Sequence, residues 1–210
     1  MIQAILIGLC LSAVCGLRVF VPPLFLSIAA QFGWLDVAEN FAWLARPEAT
    51  VSRGLASFLE IGAYYIPWLD NLLDTLATPL AIVAGTLVAA SQFFDLPVLA
   101  GESDAVAWTL AAVAGGGTAA IIQLLTVSIR ALSSAVTGGI GNFIVASIEG
   151  LAAFLFSVLA IIVPFVATTL LIALAVMLGV FALRQFQRIK NKKLESRRPT
   201  TAGGSEIQPS

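Results

Sequence analysis

The chain contains no histidine, and only 11% of its 210 residues are charged. The first absence removes the commonest metal ligand and the side chain that titrates near neutral pH. The second falls far below the roughly 25% usual in soluble domains. With 59% hydrophobic residues and a mean hydropathy of +0.98, the composition is that of a polytopic membrane protein. Cysteine is scarce as well. Cys10 and Cys15 stand five apart in one apolar run, where helical geometry points them in different directions, so no disulfide framework is expected. Enzyme signatures are missing: there is no G-x-S-x-G, no zinc spacing and no P-loop ending in Lys-Ser/Thr. The reading is of a non-enzyme without cofactor, metal or nucleic-acid partner; acid-only chemistry on a lipid is the remaining enzymatic option. No basic n-region precedes the first apolar run, and Ser12-Ala13-Val14 before Cys15 is a poor lipoprotein signal. The first segment is therefore expected to stay as a membrane helix.

What the chain has in abundance is apolar segments. Residues 2–17, 19–35, 67–94, 105–129, 142–164 and 165–183 predict six crossings. Residues 54–66, an apolar run of about 13 ending at Pro67, are too short to span and predict a re-entrant helix. The expected fold is all-α: a single transmembrane bundle over 1–183, followed by a basic, disordered cytoplasmic tail at 184–210. The tail's Lys/Arg cluster fixes the C-terminus in the cytoplasm of a multi-pass protein of the cytoplasmic (inner) membrane. Six crossings then put the 36–53 connection, with Arg46 and Arg53, on the cytoplasmic side and the acidic 95–104 loop outside. Trp34 and Trp43 flank the first of these, as aromatics do at headgroup level. Three crossings on each side of that loop make the halves, 1–94 and 105–183, oppositely oriented, as in an inverted repeat. Arg18 closes the first helix of one half and Arg130 that of the other.

Small residues recur every fourth position in three places: Gly8/Ser12/Gly16, Ala81/Gly85/Ala89 and Ala111/Gly115/Ala119. Such stripes allow close helix approach, and three exceed the need of one bundle, which points to a homodimer. Gln92 and Gln123 are polar in apolar helices and are expected to join helices rather than touch substrate.

Three groups of residues resemble one family. They are G-L-R-V-F-V-P at 16–22; Glu60 followed by P-W-L-D-N-L-L-D at 67–74 and Pro79; and Arg130, Asn142 and S-I-E at 147–149. Together they resemble the small prokaryotic integral membrane proteins of domain of unknown function 4126, over most of residues 1–183. In that pattern Asn is followed by Pro and the helix Glu by Asp. Here Phe143 and Gly150 stand instead, so a second acid that an activity required would be missing. The resemblance implies a membrane bundle and supplies no activity.

The chemistry then rests on charge in apolar surroundings. Glu149, about two turns into its helix, and Glu60 are intramembrane carboxylates able to carry a proton or bind a cation. Alternatively they form structural ion pairs with Arg18 or Arg130. Those arginines would balance the acids or bind an anionic solute, with Asn142 and Ser147 as polar lining. Arg18, predicted on the outer side, runs against the usual charge bias. Asp70 and Asp74, one turn apart, offset a helix dipole or attract a hard cation at a cytoplasmic mouth. The 133–142 loop reads as a turn or as an anion cradle. The leading expectation is a transporter or channel for a small solute or ion, proton- or cation-coupled through the glutamates. The alternative is a non-catalytic scaffold with structural charges.

Overall fold

A computed structural model describes residues 1–195, apart from the side chains at positions 67, 68, 70, 71, 74, 186 and 189–195. Within the described residues the chain is helical and has no strand. Two short apolar helices come first, α1 (Ile2–Cys15) and α2 (Val21–Gln31). A 3-10 segment, Glu39–Ala45, leads to α3 (Pro47–Ala63), and a tight turn to α4 (Pro67–Phe93). Next, α5 (Asp104–Leu110), a π-helical stretch (Ala111–Gly116) and α6 (Gly117–Thr137) form one continuous rod. Then come α7 (Asn142–Ile162) and α8 (Pro164–Glu195). Gly138, at φ 65°, ends α6 in the left-handed conformation that glycine adopts without strain.

Four segments are long and apolar enough to cross a membrane: Thr75–Phe93, Asp104–Thr137, Asn142–Ile162 and Pro164–Gln185. The chain is a membrane protein. By contrast, α1 and α2 reach only about 21 and 17 Å at 1.5 Å per residue, short of a hydrocarbon core of roughly 30 Å.

Side-chain packing gives each helix its direction. At one level Ser12, Gly85 and Gly115 meet: the Ser12 hydroxyl donates to the Gly85 carbonyl at 2.7 Å, and a Cβ on Gly85 would lie 2.9 Å from the Gly115 carbonyl oxygen. Toward one end, Gly8 packs on Gln92 and Phe93; toward the other, Gly16 packs on Ala119, Ile122 and Gln123. Hence α1 runs against α4 and in the same sense as α6. Further on, Phe25 meets Phe154 while Arg18 meets Glu149, so α2 turns back and runs with α7. Contacts of Thr50 with Gln31 and of Glu60 with Val19 set α3 against α2. The helices α1 and α2 are thus a hairpin whose turn, residues 16–20, lies buried within the bundle.

These directions correct three expectations. The short inserted element is the α1–α2 hairpin; residues 54–66 are not a separate element, since 54–63 end a 17-residue helix that begins back at Pro47 and 64–66 form the turn into α4. Two opposed halves would need α1 and α6 to run in opposite senses, and they run together; six alternating crossings in an inverted repeat are not what the packing shows. The 36–53 connection and the acidic 95–104 loop, expected on opposite faces, share one end of the bundle. There the Ala38 amide donates to the Ser91 carbonyl at 2.8 Å, the Glu39 amide donates to Asp95 Oδ2 at 3.1 Å, and Phe41 packs on Phe94 and Trp108. Gln92 joins that connection too, donating to the Asp36 carbonyl at 3.2 Å.

The three small-residue stripes close on one another at the Ser12–Gly85–Gly115 junction. They are satisfied inside one chain and so give no argument for a second copy. The tail begins as helix: α8 continues through 184–195, and residues 196–210 lie outside the described residues.

Candidate functional site

The buried turn between α1 and α2 needs partners, because a chain reversal in apolar surroundings leaves peptide groups without helical hydrogen bonds. Glu60 supplies two. Its Oε1 accepts the Val19 amide at 2.6 Å and its Oε2 the Phe20 amide at 3.0 Å. The side chain of Arg18 points the other way, toward α7. Its Nη2 donates to the Ala146 carbonyl at 2.6 Å, and its Nη1 donates to Glu149 Oε2 and to the Leu17 carbonyl, both at 3.2 Å.

Arg130 of α6 converges on the same carboxylate. Its Nε donates to both Glu149 oxygens at 3.2 and 3.1 Å, and its Nη2 to Oε2. The Tyr64 ring packs against both cations, its centroid 4.0 Å from the Arg18 Cζ and 4.2 Å from the Arg130 Cζ. Arg18 and Arg130 are each 2% exposed, Glu60 6% and Glu149 7%. Two cations and two anions therefore balance in a water-poor site, which is the condition for holding such groups in the interior. Among the described residues, Arg18 Nε is buried with no hydrogen-bond partner; a Cβ added at Gly150 would lie 3.8 Å from it.

Glu149 and Arg130 each lie seven residues from the α6–α7 turn (numbers 142 and 137 begin and end those helices), or about 10 Å along the axis. The other expected residues sit nearer that turn. Asn142 Nδ2 donates to the Ser134 hydroxyl at 2.9 Å, which ties α7 back to α6. Ser147, exposed, shares a 2.9 Å hydrogen bond with the Tyr65 hydroxyl, and Tyr65 packs on Phe143. The 133–142 stretch is mostly the end of α6 and its turn, with the Gly141 amide bonded to the Thr137 hydroxyl at 2.9 Å. The side chains of Asp70 and Asp74, the expected cation mouth, lie outside the described residues.

Of the expected groups, then, Arg18, Arg130 and Glu149 form one hydrogen-bonded network, and Glu60 holds the same turn through its backbone. Arg18 is not on the opposite side from Arg130; both bind one carboxylate. Sequence reasoning missed Tyr64 and Tyr65. Their adjacency, as the only two tyrosines in the chain, was the available signal. The backbone partners at Val19, Phe20 and Ala146 carry no signal in residue type at all.

This arrangement defines a polytopic α-helical membrane protein with a charge-balanced network at the tip of a short inserted hairpin. The chain belongs to the family described as Domain of unknown function (DUF4126), whose family model matches residues 5–185. No curated protein and no solved structure matches it.

Proposed function

We propose that the protein transports a small solute or ion across the cytoplasmic membrane, with the Arg18–Glu149–Arg130 network as the group that changes partners during transport. The observation that carries this reading is a single carboxylate shared by two buried guanidiniums beside a buried turn. Helices interrupted within the membrane support binding sites in transporters because they bring polar backbone to mid-depth. A small anionic solute would compete with Glu149 for the guanidiniums, starting from the Arg18 Nε that has no partner. Glu60 keeps the turn in place, and Asn142 and Ser147 line the approach from the α6–α7 turn.

The orientation follows from charge. One end of the bundle carries Asp36, Glu39, Glu48, Asp95, Glu102 and Asp104 against Arg46 and Arg53; the other receives the basic C-terminal end of α8. The positive-inside bias puts the acidic end outside and the C-terminus in the cytoplasm. The α1–α2 hairpin then enters from outside and returns there, which places the N-terminus outside as well.

The test is flux in proteoliposomes, read with pH-sensitive and chloride-sensitive dyes for protons and a small anion. Wild type is expected to pass one of these, and Glu149→Gln and Arg18→Gln to lose it. Flux unchanged in a folded Glu149→Gln protein overturns the proposal. A second reading is favoured by the number of bonds Glu149 accepts: a scaffold in which the network only locks three helices. It predicts no flux in wild type and a lowered melting temperature in the same variants.

A further inference from the structure

Beside the charged network, α3 and α4 stand apart and leave a crevice closed on its inner side by α2. Its wider part, about 310 Å³, runs from Arg53 and Trp43 past Ala56, Ala84 and Leu87. A second part, about 300 Å³, shares Val19, Phe20, Ala56 and Leu80 with the first and ends at Glu60 and Tyr64. The two parts therefore adjoin, and Arg53, Ala56 and Glu60 line them from one face of α3, as spacings of three and four on a helix require. Each volume is at the lower end of what small-molecule sites enclose. The walls are apolar nearly throughout, and Leu80, Val83 and Leu87 on the α4 side are exposed toward the surroundings of the bundle.

Arg53 is the one charged group at the wide end. It is half-buried, donates to the Ala49 carbonyl at 2.9 Å and lies over the Trp43 ring at 4.9 Å. Among the described residues no carboxylate pairs with it. A cation without a counter-charge, held by an aromatic ring at the mouth of an apolar slot, is matched by an anion that carries a hydrocarbon chain. In a bilayer that description fits a phospholipid.

We infer that this crevice is a fixed phospholipid site, with the lipid phosphate on Arg53 and one acyl chain lying between α3 and α4 toward Glu60. The site does not depend on transport: a scaffold would hold the same lipid. Its chemistry is phosphate plus chain, so neither half alone is sufficient.

The experiment is native mass spectrometry of the full chain, delipidated in detergent and offered phosphatidylglycerol, diacylglycerol lacking the phosphate, or glycerol phosphate lacking the chains. Wild type is expected to retain one phosphatidylglycerol and neither of the others. Arg53→Gln is expected to weaken retention about tenfold, the effect of losing one charge-assisted hydrogen bond. Arg53→Lys is expected to keep most of it, and Ala84→Phe, which fills the slot, to abolish it. Melting temperatures confirm that each variant is folded; should Ala84→Phe fail to fold, Ala56→Leu takes its place. Equal retention of diacylglycerol, or retention unaffected by both Arg53→Gln and the filling variant, overturns the inference.

Discussion

Arg18, in the turn between α1 and α2, and Arg130, on α6, lie more than a hundred residues apart in the chain and are bonded to the same carboxylate, that of Glu149. Neither arginine would be tolerated so deep without it, and each helps hold the other's partner in place. The closure of α1, α6 and α7 on one another is therefore an electrostatic as well as an apolar event.

Removing the charge of Glu149 leaves two buried guanidiniums facing each other. Glu149→Gln is expected to destabilise the protein by about 3–5 kcal/mol, the range for breaking a buried pair from one side. Adding Arg130→Gln to that variant removes one of the stranded cations and is expected to recover part of the loss. Thermal melts of both single variants and the double give the coupling directly; strict additivity would mean that the two groups do not interact.

Glu60 acts on backbone, so its variants should separate by how many acceptors remain. Glu60→Gln keeps one carbonyl oxygen and is expected to hold one of the two amides; Glu60→Ala holds neither. With about 1–3 kcal/mol for each unsatisfied buried group, the alanine variant is expected to be the less stable. Amide exchange at Val19 and Phe20 is the specific readout: it should accelerate in Glu60→Ala, and unchanged protection would remove Glu60 from its assigned place.

The small-residue junction predicts a contrast among glycines. A Cβ on Gly85 would lie 2.7 Å from that of Ala119 and 2.9 Å from the Gly115 carbonyl oxygen, whereas a Cβ on Gly62 meets nothing within 4 Å. Gly85→Ala is expected to cost about 1–3 kcal/mol by overpacking. Gly62→Ala, inside α3, is expected to be neutral or stabilising by up to about 1 kcal/mol through helix propensity. Comparable melting temperatures for the two variants would contradict the packing described for α1, α4 and the π-helical stretch.

Sidedness can be read with cysteines in a Cys10→Ala/Cys15→Ala background. Glu39→Cys and Glu102→Cys, both at the acidic end, are expected to react with a membrane-impermeant maleimide from the same side. Ile140→Cys, in the α6–α7 turn and 80% exposed, is expected to react from the other side. Labelling of positions 39 and 102 from opposite sides would restore the six-crossing arrangement.

The charged residues were legible from sequence because a carboxylate or guanidinium in an apolar run has few fates other than pairing. Glu149, Glu60, Arg18 and Arg130 all meet at or around one turn, as their burial required. The path of the chain was not legible, for two physical reasons. Apolar residues run almost unbroken from 2 to 35, so the reversal at 16–20 looks like the end of one crossing and the start of the next; what permits it to stop inside is Glu60, supplied from 40 residues away. Conversely, α3 begins in the polar stretch at Pro47, and a hydropathy reading trims it to the apolar part. The stripes at Gly8, Gly85 and Gly115 were visible as close-packing surfaces, but nothing in their spacing says whether the partner is the same chain. Tyr64 could not be assigned because its place depends on two arginines distant in the chain, one in the α1–α2 turn and one on α6.

The bonds from Glu60 end on nitrogen atoms of the main chain, so they ask nothing of the side chains at 19 and 20. Those two positions are free to drift to other residues of similar size, with proline as the exception, since a ring nitrogen has no hydrogen to give. In related sequences the constraint would therefore be visible as a forbidden residue, beside a fixed acid on α3.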